Sequence, residues 1–337
     1  MSFDRYRNTG ILQQADTKRR KKGDIKMKQY CFGIDVGGTT VKCGFLNTEG
    51  ELLDKWEIPT RTEDNGSKIL PDIAQTIKAK IEERGLTKDE IEGIGIDIPG
   101  PVNEKGEVNL AVNLHWGYVD IVGEMEKMTG IRTKAVNDAN AAALGECWKG
   151  GGAGHKNLIM VTLGTGVGGG VVVEGKVIAG AHGAGGEIGH VHVTEELTEP
   201  CNCGNVGCLE QVTSATGIVR LAKMHLEQTP DMPSVLRGRN FSCKDVWNAV
   251  KDGDELADEV AEKFGHFLGR ALAAFACVTD PEICVIGGGV SKAGPIILDY
   301  VQKYYRQYAF SACKDATFAL ATLGNDAGIY GAAKLVL

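Results

Sequence analysis

The stretch Cys31–Leu46, CFGIDVGGTTVKCGFL, reads as an apolar strand, a glycine turn and a second strand. A turn follows at Asn47–Gly50 and a further strand runs to Ile58, so the segment is a hairpin carried on into a third strand. The loop departs from the Walker pattern, which needs a closing Gly-Lys-Ser/Thr ahead of a helix. Gly37 and Gly38 let backbone N–H groups approach an anion, and Thr39 and Thr40 add hydroxyl donors. Asp35 places a carboxylate where hydrated magnesium can be held. On its own, a glycine-rich hairpin turn is more often just a turn.

The same grammar returns about 130 residues later. Asn157–Leu163 is an apolar strand followed by GTGVGGG, Gly164–Gly170, with a strand over Val171–Val173, a turn at Glu174 and Gly175, and a strand to Ile178. Two halves that each open on a glycine-loop hairpin point to a duplicated α/β domain with a nucleotide clamped between the copies. Between them, isoleucines at 69, 73, 77 and 81 make one apolar helical stripe over Ile69–Arg84. Ile91–Ile98 forms a strand ending at PGPV, where Gly100 permits close approach of a ligand. Asn137 and Asp138 close a short strand ahead of the helix ANAAALGECW. The expected place of Asp138 is the helix N-cap, from which a carboxylate ionised at neutral pH can act either as a cap or as a general base. A third glycine cluster, Gly287–Gly289, follows the strand Ile283–Ile286 and offers backbone to a phosphate or an adenosine. Gln228–Asp245 reads as a polar surface excursion, Val260–Thr279 reads as a long apolar helix whose Gly265 and Gly269 permit close helix packing, and the chain ends on a small-residue helix.

In the segment Gly186–Glu210, GEIGHVHVTEELTEPCNCGNVGCLE, His190, Cys201, Cys203 and Cys208 supply one imidazole and three thiolates. That set suits a closed tetrahedral zinc site; ordinary buried thiols, or a disulfide with a spare cysteine, are the plainer alternatives. Gly204 and Gly207 let the backbone turn toward one ion. A metal-bound histidine keeps a second ring nitrogen for a polar ligand, so the metal is read as a splint for a pocket, with Glu187 and Glu210 flanking it.

The 337 residues suffice for about two domains and a sizeable core. No apolar run approaches the roughly 20 residues that span a bilayer, and Met1–Lys28 lacks the apolar stretch of a signal peptide. The expectation is a soluble, cytoplasmic protein whose ten cysteines are thiols or metal ligands rather than disulfides. A net charge of -7 argues against general nucleic-acid binding. Residues 1–28, which contain TKRRKK, read as a disordered basic leader.

The motifs DVGGTT, NDANAAALGE, LGTGVGGG, GEIGH, CNCGNVGCLE and GGGVS, in this order, resemble those of the ROK family (repressors, open reading frames, kinases), and the likeness covers the chain after about Lys28. The resemblance implies an actin-like ATPase (ribonuclease H-like) fold with two α/β domains around a deep cleft. The small domain takes 29–137 plus 324–337, and the large one takes 138–323 with the zinc site. It also implies ATP-dependent phosphorylation of glucose, with N-acetylglucosamine or N-acetylmannosamine as alternative substrates. Asp138 is then the base toward the sugar 6-hydroxyl, and Asn137, Gly100, Glu187, His190 and Glu210 hold the rest of the sugar. His190, Cys201, Cys203 and Cys208 match the family's zinc ligands. Asp35 positions Mg2+ through water, the Gly33–Thr40 and Gly164–Gly170 loops (among them Gly37, Gly38, Thr39, Thr40, Gly164, Thr165, Gly166 and Gly168) take ATP phosphates, and Gly287, Gly288 and Gly289 lie near the adenosine. A homodimer is usual among such relatives. The leader is too short for the winged helix-turn-helix domain of the family's repressors, which disfavours a sugar-responsive DNA-binding role.

Overall fold

A computed structural model describes residues 28–337; the basic leader, up to residue 27, lies outside the described residues. Two five-stranded sheets organise the chain. The first contains β1 (Tyr30–Val36), β2 (Thr40–Asn47), β3 (Leu52–Pro59), β4 (Ile91–Ile98) and β5 (Thr133–Asn137), in the order β3-β2-β1-β4-β5. The second contains β6 (Leu158–Leu163), β7 (Val167–Val173), β8 (Lys176–Val177), β9 (Ile283–Gly287) and β10 (Thr317–Leu320), in the order β8-β7-β6-β9-β10. In each, the first three strands pair antiparallel and the last two join in parallel. The two sheets therefore share one topology, and the duplication expected from the repeated hairpins is present in three dimensions.

β4, IEGIGIDI, is buried along nearly its whole length, as parallel strands with both faces covered are. β1 and β4 present Gly33 and Gly95 to the last helix; a Cβ on Gly33 would lie 2.0 Å from the Ile329 carbonyl oxygen, and one on Gly95 1.7 Å from that of Ala332. These glycines let the helix backbone rest directly on the strands.

Among the described residues, the helices longer than one turn are α1 (Ile69–Glu83), α2 (Ile121–Thr129), α3 (Asp138–Lys149), α4 (Ala215–Gln228), α5 (Cys243–Lys251), α6 (Glu255–Thr279), α7 (Ile296–Tyr308) and α8 (Ala327–Leu335). The isoleucine stripe of α1 is buried at Ile69, Ile73 and Ile77, in a core shared with Phe32, Ile34, Ile94 and Ile96. A second core joins α4, α5, α6 and α7 to β6 and β9. Gly265 and Gly269 of α6 meet the backbone of α7 at Tyr300 and Val301, which is the close helix contact their spacing implies. α8, the final helix, crosses back from the second sheet onto β1 and β4 and packs along α3, where Gly331 faces the Ala141 carbonyl.

Three local expectations change. The excursion after Gln228 ends sooner than Asp245, because Ser242 and Asp245 form a capping box that starts α5 at Cys243. The long helix begins at Glu255 rather than Val260, capped by Asp254. Gly168–Gly170 are strand β7 and not loop, so only Gly164–Gly166 make the turn. A Cβ on Gly170 would sit 2.5 Å from Ala143 Cβ and 3.0 Å from the Ala139 carbonyl oxygen, so this glycine lets α3 lie close over the sheet. Among the described residues, no helix is long and apolar enough to cross a membrane.

Candidate active site

The carboxyl ends of β1, β4 and β5, the start of α3 and the start of α8 converge on one floor. Asp35 and Asp97 are in direct register on β1 and β4, and Lys42 of β2 is in register with Asp35. Lys42 Nζ donates to Asp35 Oδ2 at 2.8 Å. Burial alone would lower the Lys42 ammonium, but its bond to Asp35 outweighs this and holds it above the ordinary lysine range. Asp97 is wholly buried, and its carboxyl, to which no amide or hydroxyl among the described residues donates, hydrogen-bonds to that of Asp35. Burial, and then the charges of Asp35 and Asp138, push its carboxyl well above the usual carboxylate range.

Asn137, not Asp138, is the N-cap of α3. Its Oδ1 accepts from the Ala139 and Asn140 amides at 2.9 and 3.3 Å, because β5 ends one residue earlier than a cap at Asp138 would need. The Asn137 amide also donates to the Gly100 carbonyl at 3.2 Å. Gly100 itself has φ +145°, a conformation that favours glycine. Asp138 is thereby freed from capping and becomes the first helical residue, its Oδ1 accepting from the Ala139 amide at 2.8 Å. It is open to the cleft, yet protein surrounds it on its other sides. That enclosure raises its carboxyl, the helix-start amide opposes the rise, and Asp35 and Glu187 add to it.

Across the cleft, donor atoms of His190, Cys201, Cys203 and Cys208 all lie within 4.8 Å of one another. Cys201 Sγ is 3.7 Å from His190 Nδ1, and Cys203 Sγ is 3.6 Å from Cys208 Sγ. The second separation is far beyond the roughly 2.05 Å of a disulfide. Ligands about 2.0–2.3 Å from one tetrahedral ion stand at such mutual distances, so these residues fit zinc. Gly204 and Gly207 both have positive φ, as turns toward a common ion require. His190 turns Nδ1 to the cysteines and Nε2 toward Glu187, whose Oε2 is 3.9 Å away. Nearby His192 is directed elsewhere, with Nδ1 at 2.8 Å from the Val206 carbonyl and Nε2 on Glu195. Glu210 links the cluster to the second glycine turn: Oε1 lies 3.5 Å from Cys201 Sγ, while Oε2 accepts from the Val167 amide at 2.9 Å.

The two turns differ in what they leave open. Gly37 N–H is already donated to the Thr40 carbonyl at 3.0 Å, whereas Gly38 and Thr39 are exposed. The Gly164–Gly166 turn is held from below by α4, as Ala215 N–H donates to Gly164 O at 2.8 Å and Thr216 Oγ1 to Thr165 O at 3.0 Å. The positive end of α4 therefore lies beside Thr165, a place where anions are favoured. From Thr165 a cavity of about 700 Å³ runs to Ser242, and an adjoining one of about 440 Å³ continues to Gly289, Val290 and Lys292; both are lined by Ala215, Cys243 and Lys244. Gly288, with φ +84°, folds the third glycine cluster onto the Leu163 backbone.

Sequence reasoning missed Asp97, Lys42 and the lysines of the long cavity. The first two sit among apolar strand residues and show their partners only through register. Lys244 lies at the edge of a stretch that reads as surface.

Residues 31–337 match the family described as "ROK family". The chain is 43% identical over 313 residues to a glucokinase of Halalkalibacterium halodurans, covering 91% of this chain and 95% of that one. A ROK family glucokinase from Streptomyces griseus, solved in complex with glucose and AMPPNP, superposes with a TM-score of 0.65 at 32% identity, covering 91% of this chain and 98% of that one. A ROK hexokinase from Thermus thermophilus gives a TM-score of 0.74 at 30% identity, with 90% and 97% covered.

Proposed function

The chain belongs to the ROK family, and on that premise we propose that it is a glucokinase, transferring the terminal phosphoryl group of ATP to the 6-hydroxyl of glucose. The observation that carries the mechanism is the release of Asp138 from capping. Asn137 takes over that task, which leaves a carboxylate on a rigid helix start, facing the cleft between the charged row and the metal cluster. In this reading Asp138 accepts the proton of the sugar hydroxyl as its bond to phosphorus forms.

The other roles follow the same geometry. Asn137 and Gly100 border the hydroxyls next to the reacting one. Glu187, His190 and Glu210 hold the sugar's far rim, and His190, Cys201, Cys203 and Cys208 would hold a zinc ion that, when bound, would fix the imidazole facing it. Gly38, Thr39, Gly164, Thr165 and Gly166 receive phosphates, and the cavity reaching Gly287–Gly289 takes the nucleoside. Magnesium, when bound, would neutralise charge on the phosphates, and Asp35 is placed to hold its waters. Little covalent work falls to the protein; it positions the reactants, and closure of the lobe 29–137 plus 324–337 on the lobe 138–323 excludes water. A cytoplasmic homodimer completes the proposal.

A coupled ADP-release assay over glucose, mannose, N-acetylglucosamine and N-acetylmannosamine tests it. Glucose should give the highest kcat/KM; no turnover with any of these sugars, or a clear preference for an N-acetylhexosamine, contradicts it.

A further inference from the structure

The two cavities that join the Gly164–Gly166 turn to the third glycine cluster are lined by five cations, Lys244, Lys251, Lys292, Arg220 and Lys223, against one acid, Glu227. In a chain of net charge -7 this is a local reversal of sign, and a cleft lined by one sign of charge gathers ligands of the other. The turn itself brings no charge, since the row beside it is Gly168, Thr162, Gly287. Lys42, on the other hairpin, is held by Asp35 at 2.8 Å. A full positive side-chain charge for a phosphate on this side therefore comes from the cavity walls.

Among those cations, Lys244 alone lines both cavities. It stands in the first turn of α5, just after the N-cap Ser242. The adjacent acid, Asp245, is occupied: its Oδ2 accepts from the Ser242 amide and hydroxyl at 2.8 and 2.7 Å, and its Oδ1 lies 3.6 Å from Arg239. Arg220 likewise donates to the Gln211 carbonyl at 2.8 Å. Lys244 is exposed and makes no hydrogen bond or ion pair among the described residues, so its ammonium is available to a ligand where the cavities meet. The starts of α4, at Ala215, and of α5, at Cys243, line the same space and add two positive helix ends to it.

We propose that Lys244 binds the inner phosphates of the nucleotide, those between the nucleoside and the transferred group; the assignment rests on the kinase reading above. With the terminal phosphate at Thr165 and the nucleoside toward Gly289, a residue at the junction meets the segment between them. ATP and ADP carry that segment alike. Lys244 therefore supplies uniform binding, which sets affinity for both nucleotides and leaves the chemical step alone.

The test is calorimetric titration of ADP and of a non-hydrolysable ATP analogue into the zinc-replete protein, with steady-state kinetics beside it. Lys244→Gln removes the charge and keeps most of the length. It should weaken both nucleotides about tenfold and raise KM for ATP to match, with kcat at saturating ATP and KM for glucose within about twofold of the wild type. Lys244→Arg should recover most of the lost affinity. Unchanged nucleotide affinity in Lys244→Gln, a loss that Lys244→Arg does not recover, or a fall in kcat at unchanged KM overturns the proposal. The two readings fail separately. A protein that binds ADP through Lys244 yet phosphorylates no sugar keeps this residue's role and loses the kinase reading; a sugar kinase indifferent to Lys244→Gln does the reverse.

Discussion

The two sheets are copies in topology and opposites in chemistry. Across the first, the register row at the mouth of the hairpin is Lys42, Asp35, Asp97; across the second, the corresponding row is Gly168, Thr162, Gly287. The first row is ionisable at all three positions and lies at the start of α8. Its counterpart is nearly bare of charge, and the Gly164–Gly166 turn beside it rests on the start of helix α4. In the proposed function, divergence at the three positions of each row separates a side for metal and proton from a side for phosphate and nucleoside. A second contrast lies beneath. Gly33 and Gly95 let α8 rest on the first sheet, while their counterparts Met160 and Val285 fill the second with side chains.

Breaking the charged side should have the largest effect. Asp138→Asn keeps the fold and the α3 cap, which belongs to Asn137, and should lower turnover by about 100-fold or more with glucose affinity little changed. Steady-state kinetics and glucose titration check this; normal turnover removes Asp138 as the base. Next, Cys203→Ser attacks a cysteine–histidine cluster that, among the described residues, only the second half carries. Zinc content should fall away, and glucose affinity should weaken by about 10–100-fold because His190 loses its brace. Metal analysis and calorimetry read both, with ATP binding retained.

The packing contrast predicts a smaller effect. Gly95→Ala forces a methyl against the Ala332 carbonyl and should cost about 1–3 kcal/mol, seen as a lowered Tm. The smallest effect is in pH. Burial and the neighbouring carboxylates raise Asp138, and the base works only when deprotonated. Turnover should therefore fall as pH drops through the raised value, so the acid limb of kcat lies above the usual carboxylate range of about 3.9. In Asp138→Asn that limb should disappear from the residual rate.

Much of this was legible in the chain. Two glycine hairpins announced the duplicated sheets, and the isoleucine stripe gave α1 to within a residue. The cysteine–histidine cluster declared itself by ligand type, since few other arrangements concentrate such donors. What the sequence hid was pairing. Asp97 lies in IGIDI among apolar neighbours, and only the parallel register of β4 with β1 sets it beside Asp35. Gly168 looked like loop because glycine serves both turns and close helix packing; the proximity of α3 decides between them. The cap fell to Asn137 rather than Asp138 because strand and helix ends are set by tertiary pairing, which a dipeptide of two good capping residues does not reveal.

The most direct measurement is a crystal structure of the protein with glucose and a non-hydrolysable ATP analogue. The sugar 6-hydroxyl should lie about 2.6–3.2 Å from an Asp138 carboxylate oxygen, in line with the terminal phosphorus. A sugar bound with its 6-hydroxyl turned away from Asp138, in a cleft closed on both ligands, would contradict the account.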